Sequence, residues 1–102
     1  MALAQATLTT SAATIYTSSG NNVVSSMYLC NYSGVDATFT LYLVQSAGSP
    51  TDANIIYKTV NITAGDTYIV DSEKTILATG DFISGLASAN TSITVTVSYW
   101  AL

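Results

Sequence analysis

A chain of 102 residues with no histidine, one cysteine, six acidic residues and two lysines has few groups for acid–base, nucleophilic or metal chemistry. Its net charge of −4, with Lys58 and Lys74 as the only cations, argues against binding to nucleic acid or to an anionic membrane surface. No apolar run approaches the ~18 residues that span a bilayer. The composition therefore predicts a protein that is not an enzyme, needs no cofactor or metal, and works through its surfaces.

The beginning of the chain predicts short strands and no export signal. Two interpretations of residues 1–11 are open: an extended N-terminal arm, or a segment that contains a short strand at Ala6–Thr10. Ala13–Thr17 is expected to be the next strand, because its composition fits a pleated surface. The first residues lack the basic segment and apolar core of a secretory signal peptide, so we expect the protein to fold in a cytoplasm.

Residues 23–44 predict a β-hairpin. Apolar and polar side chains alternate over Val23–Tyr32 and again over Ala37–Leu43, and the residues between them are rich in turn formers. The chain has no second cysteine, so Cys30 has no intrachain disulfide partner. No cation lies near it in sequence, and we expect it to be a small buried side chain rather than a reactive thiol.

Turns and short strands alternate through the second half of the chain. Residues 45–54 contain the only proline and predict an exposed loop. Residues 55–62 resume as a strand, and residues 68–70 form a short return. Residues 71–76 are expected to form a single helical or 3₁₀ turn. Gly65 and Gly80 each precede an aspartate between apolar runs, which predicts a turn at each, with positive φ at one or both.

The last strand gives the clearest pattern. In Ile93–Tyr99 the odd-numbered residues are apolar, except that Tyr99 adds a hydroxyl, while the even-numbered ones are Thr or Ser. We expect Ile93, Val95, Val97 and Tyr99 to face the core. With seven to eight short strands separated by turns, residues 1–102 predict a single antiparallel β-sandwich domain.

Two kinds of candidate site have a simpler structural interpretation. Asp66, Asp71, Glu73 and Asp81 offer oxygen ligands for calcium or a pair of catalytic carboxylates, but their spacing matches no calcium-loop signature. Carboxylates that accept hydrogen bonds from turn N–H groups explain them better. The seven tyrosines and Trp100 suit a contact with another protein subunit better than a sugar platform, because they lie on separate strands and turns.

Four segments resemble small virion structural proteins of tailed bacteriophages. They are Tyr28–Gly34, with its strand ending in Cys-Asn; Ile76–Ile83, with a Leu-x-x-Gly-Asp-x-Ile turn; Ala87–Ala89; and the final Thr/Val strand Ile93–Tyr99. The resemblance spans roughly residues 12–100. It implies a β-sandwich and a place on a virus particle, and it carries over no catalytic or binding residue.

Three functions are compatible with these features. The first is a capsid decoration (cement) protein that bridges major capsid subunits, assembled in the host bacterial cytoplasm as a homo-oligomer. The second is a tail, neck or baseplate component, including a fibre-attachment module. The third is a host-surface carbohydrate-binding module. The expected partners are thus the major capsid protein or other virion proteins.

Overall fold

The computed structural model describes residues 2–70 and 75–102, and in these residues it has nine β-strands and no helix. The strands are β1 (Ala2–Thr7), β2 (Ala13–Thr17), β3 (Asn22–Asn31), β4 (Ala37–Val44), β5 (Ile55–Ile62), β6 (Thr67–Val70), β7 (Thr75–Leu77), β8 (Phe82–Ala87) and β9 (Ile93–Ala101). They form two antiparallel sheets packed together, which confirms the predicted β-sandwich.

The strand order of the two sheets is that of a jelly roll. One sheet runs β1-β9-β3-β6, and β7 also pairs with β3; the other runs β2-β8-β4-β5. β6 pairs with Met27–Cys30 and β7 with Asn22–Val24, so the two short strands share one position along the edge of β3. The described strands thus fill eight positions in two interlocked four-position sheets, the arrangement that defines a jelly roll.

The core lies between the sheets and is built from alternate residues of each strand. Ile93, Val95 and Val97 of β9 are fully buried, and Tyr99 packs against the core with part of its ring exposed, which confirms the expected core face of β9. Phe39 and its neighbours on β4 close the core from the other sheet. Period-2 alternation predicts these faces because successive side chains of a strand point to opposite sides.

The predicted hairpin over residues 23–44 is wrong. β3 and β4 belong to different sheets: β3 pairs with β9, β6 and β7, whereas β4 pairs with β5 and β8. The residues between β3 and β4 therefore cross from one sheet to the other. Turn-forming composition indicates that the chain reverses, but it does not indicate which strand will be its hydrogen-bonded neighbour.

The structure of the first strand, β1, also differs from what the sequence predicts for residues 1–11. β1 pairs with β9 along its whole length, from Ala2 opposite Tyr99 to Thr7 opposite Thr94, so this segment is part of the sheet rather than an extended arm. The strand predicted at Ala6–Thr10 is misplaced, because strand pairing ends at Thr7. The alanines of β1 gave too weak an apolar signal to reveal the alternation.

Three expectations concern the turns. Residues 45–54 contain no strand and are mostly exposed, as predicted. Gly65 and Gly80 have φ values of 81° and 89°, so both glycines have the positive φ that was expected at one or both. The helical turn expected over 71–76 falls partly on residues 71–74, which lie outside the described residues; the remainder, from Thr75, begins β7 and is extended.

The described parts of the chain, residues 2–70 and 75–102, include no helix that is long and apolar enough to cross a membrane.

Candidate interaction surface

The outward side of the five-stranded sheet has no charged side chain among the described residues. We call it the uncharged face. It consists of the side chains that alternate with the core residues of these strands, and the register brings them into rows across the sheet. Its members are Leu3, Gln5, Thr7, Val23, Ser26, Tyr28, Cys30, Thr67, Ile69, Ile76, Thr94, Thr96, Ser98 and Trp100.

Besides Leu3 on β1, large apolar side chains are exposed in two rows of the uncharged face that cross several strands. In one row Tyr28 lies opposite Ile69, and both side chains are largely exposed. In the other row Val23 lies between Trp100 and Ile76. Val23 points away from the core, yet it is only 8% exposed, because these two larger neighbours flank it. Exposed apolar rows on an otherwise hydroxyl-rich sheet mark a surface suited to contact with another protein.

The charged side chains of the described residues lie away from the uncharged face. Asp36 and Asp66 lie in the loops at one end of the sandwich, Asp52 and Asp81 lie in loops at the other end, and Lys58 is on β5 in the four-stranded sheet. The uncharged face is therefore a broad surface on which another protein can dock without removing a charged side chain of the described residues from water.

Asp66 and Asp81, two of the aspartates considered for metal or acid–base chemistry, lie in loops at opposite ends of the sandwich. Asp81 Oδ1 accepts the Ser46 N–H at 3.0 Å, and Asp81 Oδ2 accepts the Ala78 N–H at 3.0 Å. Asp66 lies at the opposite end, where its carbonyl accepts the Asn31 N–H. The structure does not bring Asp66 and Asp81 together, and Asp71 and Glu73 lie outside the described residues. The described residues contain no cluster of three potential metal ligands.

Asn31, the last residue of β3, is fully buried, and its side chain forms hydrogen bonds to the neighbouring loop and to the end of β5. Its Nδ2 donates to the Val35 carbonyl at 2.8 Å and to the Ile62 carbonyl at 2.9 Å. Its Oδ1 accepts from the N–H of Ser33 at 3.0 Å and lies 2.7 Å from the Ser33 hydroxyl. A buried amide with every group bonded is a structural element, because it leaves nothing free for a ligand.

An opening between the two sheets has a volume of about 330 Å³. Among the described residues, the only titratable group that lines it is the Tyr57 hydroxyl. The lining residues are Val24, Met27, Leu43, Ile56, Tyr57, Val70 and Thr75.

Four of the seven tyrosines pack inward. The Tyr57 and Tyr68 rings lie 6.1 and 5.4 Å from the Phe39 ring, measured between centroids, and Tyr16 stacks against Tyr99 at 4.3 Å. Burial raises the pKa of the Tyr16 hydroxyl, which is therefore neutral at ordinary pH. The inward packing of Tyr99 agrees with its expected place on the core face of β9.

The exposed aromatic side chains do not form one continuous platform. On the uncharged face, Tyr28 shares a row with Thr96, and Trp100 shares one with Val23. The pair Ser26 and Ser98 lies between these two rows. A sugar ring stacked on Tyr28 would thus not reach Trp100, whereas a protein surface would cover both rows.

Cys30 lies on the uncharged face and is partly exposed, so the expectation of a buried side chain is wrong. Leu29 and Asn31, its neighbours in sequence, are both fully buried and point inward, and alternation therefore turns Cys30 outward. Thr94 and Thr67 lie opposite it on the two adjacent strands.

Sequence reasoning named the tyrosines as a group and Trp100 as possible contact residues, but it missed the surface that joins Tyr28 and Trp100. Leu3 lies on β1 at one edge of the sheet, and Ile69 and Ile76 lie on β6 and β7 at the other edge, so only the sheet order places them on one face. The available signal was the alternation in each strand, which shows outward residues but not adjacent strands.

No protein-family model matches the chain, and no curated protein or solved structure is significantly similar to it. The jelly-roll order given above comes from the pairing of the chain's own strands.

Proposed function

We propose that this protein is a non-enzymatic structural component of a tailed-bacteriophage particle, and most directly a capsid decoration protein that bridges major capsid subunits. The observation that carries the proposal is the uncharged face, where exposed Leu3, Tyr28, Ile69, Ile76 and Trp100 lie among hydroxyl-bearing side chains. Such a face binds by burial of surface, with its specificity set by shape.

The mechanism is added contact area. Apolar surface removed from water stabilises a contact by roughly 25 cal/mol per Å². Aromatic side chains concentrate much of this free energy, which makes Tyr28 and Trp100 the expected anchors. A small domain seated across a boundary between capsid subunits has to be displaced before those subunits separate, so its attachment opposes the outward pressure of packaged DNA.

Two further features support the proposal. The segments Tyr28–Gly34 and Ile76–Ile83 resemble virion structural proteins of tailed phages. The jelly roll is also an architecture that recurs in viral capsid proteins, although it serves lectins and cupins too and does not specify a function. The same features suit a tail, neck or baseplate component, whose contacts would obey the same physics.

The test is to image particles that carry the protein and particles from a phage that lacks its gene. Copies spaced regularly over the head, bound in the grooves between major capsid subunits, are the expected result. Copies confined to the tail would support the tail alternative instead. Absence of the protein from particles would contradict both assignments.

A matched pair of variants tests which face attaches. Tyr28→Lys places a charge on the uncharged face, whereas Tyr42→Lys places one on the outward side of β4, an equally central strand of the other sheet. When each purified variant is added to particles that lack the protein, Tyr28→Lys should lower the occupancy of the head and Tyr42→Lys should leave it close to wild type. The reverse order would show that the four-stranded sheet makes the contact.

A further inference from the structure

The edge strand β1 is less protected against pairing than the other edges of the sandwich. Its six pairs with β9 run without a register shift, and Ala2–Thr7 contains no charge and no proline. Regular, uncharged edges of this kind readily accept another strand, because their outward N–H and C=O groups lack partners in the sheet.

The other edges carry features that discourage pairing. The register of β2 shifts between Thr14 and Tyr16. β5 has two register shifts, carries Lys58 and holds Thr59 at a φ of 47°. The edge opposite β1 is divided between the short strands β6 and β7. Bulges, charges and short strands are the usual means by which sheet edges resist association.

The hydrogen-bond pattern identifies which groups of β1 face outward. The Leu8 N–H donates to the Ile93 carbonyl at 2.9 Å, in register with the β1–β9 pairs. Hydrogen-bonding direction alternates along an antiparallel strand, so Ala6 and the other even-numbered residues bond to β9. The N–H and C=O groups of Leu3, Gln5 and Thr7 therefore point to the open edge.

We propose that β1 pairs antiparallel with β1 of a second copy of this chain, across a two-fold axis at Gln5. In this register Gln5 lies opposite Gln5 of the other copy, and Leu3 opposite its Thr7. All three outward-bonding residues then find partners, which gives about six backbone hydrogen bonds. Among the described residues, a two-fold centred on Ala4 would pair only Leu3 with Gln5 of the other copy and would give Thr7 no described partner.

The side chains and charges favour a second copy in this position. Residues that meet in the proposed register share a face: Leu3, Gln5 and Thr7 extend the uncharged face, while Ala4 and Ala6 meet on the inner side with little bulk. β1 and its neighbour β9 contain no charged residue, so two chains of net charge −4 meet there without direct repulsion. The dimer has the self-complementary symmetry common to most homodimers, and it doubles the uncharged face that we propose as the attachment surface.

A pair of lysine variants tests the edge contact by analytical ultracentrifugation of the purified chain up to millimolar concentration. Gln5→Lys sets two ammonium groups on directly opposed residues, about 5.5 Å apart at Cα. Thr96→Lys adds the same charge to the same face one strand inward, where the two copies are about 14 Å apart. That separation exceeds the Debye length of about 8 Å at physiological salt.

The wild-type chain should dimerise, Gln5→Lys should weaken the dimer by up to about fivefold, and Thr96→Lys should remain close to wild type. Gln5→Pro supplies an independent variant: it removes an N–H that faces the open edge, so the monomer should keep its fold while the dimer is lost. A monomeric wild type overturns the inference. Equal loss of the dimer in both lysine variants would indicate that the copies dock through the uncharged face. No loss in either variant would indicate that the copies dock through a surface other than β1. Each of these results also overturns the inferred β1–β1 contact.

Amide hydrogen exchange tests the register at the level of single residues. The N–H groups of Leu3, Gln5 and Thr7 should become protected as the protein concentration rises, whereas those of Ala4 and Ala6 should be protected at every concentration. Concentration-independent exchange at all five overturns the edge pairing. Failure here would leave the proposed function standing, because one copy can attach to a particle through the uncharged face alone.

Discussion

Gly80 lies against Ser46, and a Cβ built on the glycine would come within 2.9 Å of the Ser46 Cβ and closer still to its hydroxyl. The two residues belong to separate loops at the same end of the sandwich, and Asp81 joins these loops through the Ser46 N–H. Gly65 has a similar positive φ, but open space surrounds the position of its missing Cβ.

Gly80→Ala should therefore destabilise the fold more than Gly65→Ala. Both variants place alanine in the left-handed region, which costs roughly 1 kcal/mol. Gly80→Ala also forces Ser46 to move, at an added cost of about 1–3 kcal/mol. Chemical denaturation of the two variants measures the difference, and Ser46→Gly combined with Gly80→Ala should recover part of it. Equal stability of the two single variants would show that Ser46 moves aside freely.

Val95→Asp should unfold the domain, whereas Thr94→Asp and Thr96→Asp should leave it folded. Val95 is fully buried, and an unpaired carboxylate there is expected to cost at least about 4 kcal/mol. The two threonines lie on the uncharged face, where an aspartate should change the free energy of unfolding by about 1 kcal/mol. Thermal melts separate the cases, and similar melting temperatures in all three variants would contradict the face assignment of β9.

Asn31→Ala should lower the free energy of unfolding by about 1–3 kcal/mol, because it removes the buried Nδ2 donor of the Ile62 carbonyl, whereas the Val35 carbonyl keeps the Ser33 hydroxyl at 2.9 Å. Asn61→Ala is the matched control, since Asn61 is exposed on β5. A loss no larger than that of the control would show that water replaces the amide at no cost.

Asn31→Asp adds a pH dependence. The new carboxyl would be buried against two carbonyl oxygens, which raises its folded-state pKa above the unfolded value of about 4. A raised pKa means that the stability of the variant is greatest below the unfolded value and declines as the pH rises from there to the folded pKa. Denaturation at a series of pH values measures this slope relative to wild type; parallel profiles would contradict it.

Attachment to particles should depend only weakly on ionic strength. Salt screens charges over about 3 Å at 1 M, but the proposed contact surface has no charge to screen among the described residues. Particles washed in high salt and then imaged should keep their copies of the protein. Ready release in salt would favour an electrostatic contact through the acidic loops instead.

The regular alternation of short segments was enough to predict an antiparallel sandwich and the core face of β9. It failed for β1, where alanines carry little apolar contrast, and for the pairing of β3 with β4. The candidate surface was only partly predictable. The outward position of Tyr28 follows from alternation. Its place beside Ile69 depends on the chain crossing after β5 to the other sheet, where β6 pairs with β3.

The sequence by itself determined the class of fold, the shortage of reactive groups and the turns at Gly65 and Gly80. These are local properties, since strand periodicity and glycine backbone preference act over a few residues. Only the tertiary structure decided which strands are neighbours, that Cys30 faces outward, and that the charged side chains of the described residues lie away from one broad sheet face. Those properties depend on pairings between residues as distant as Leu3 and Ser98, and such pairings arise from burial of the whole core.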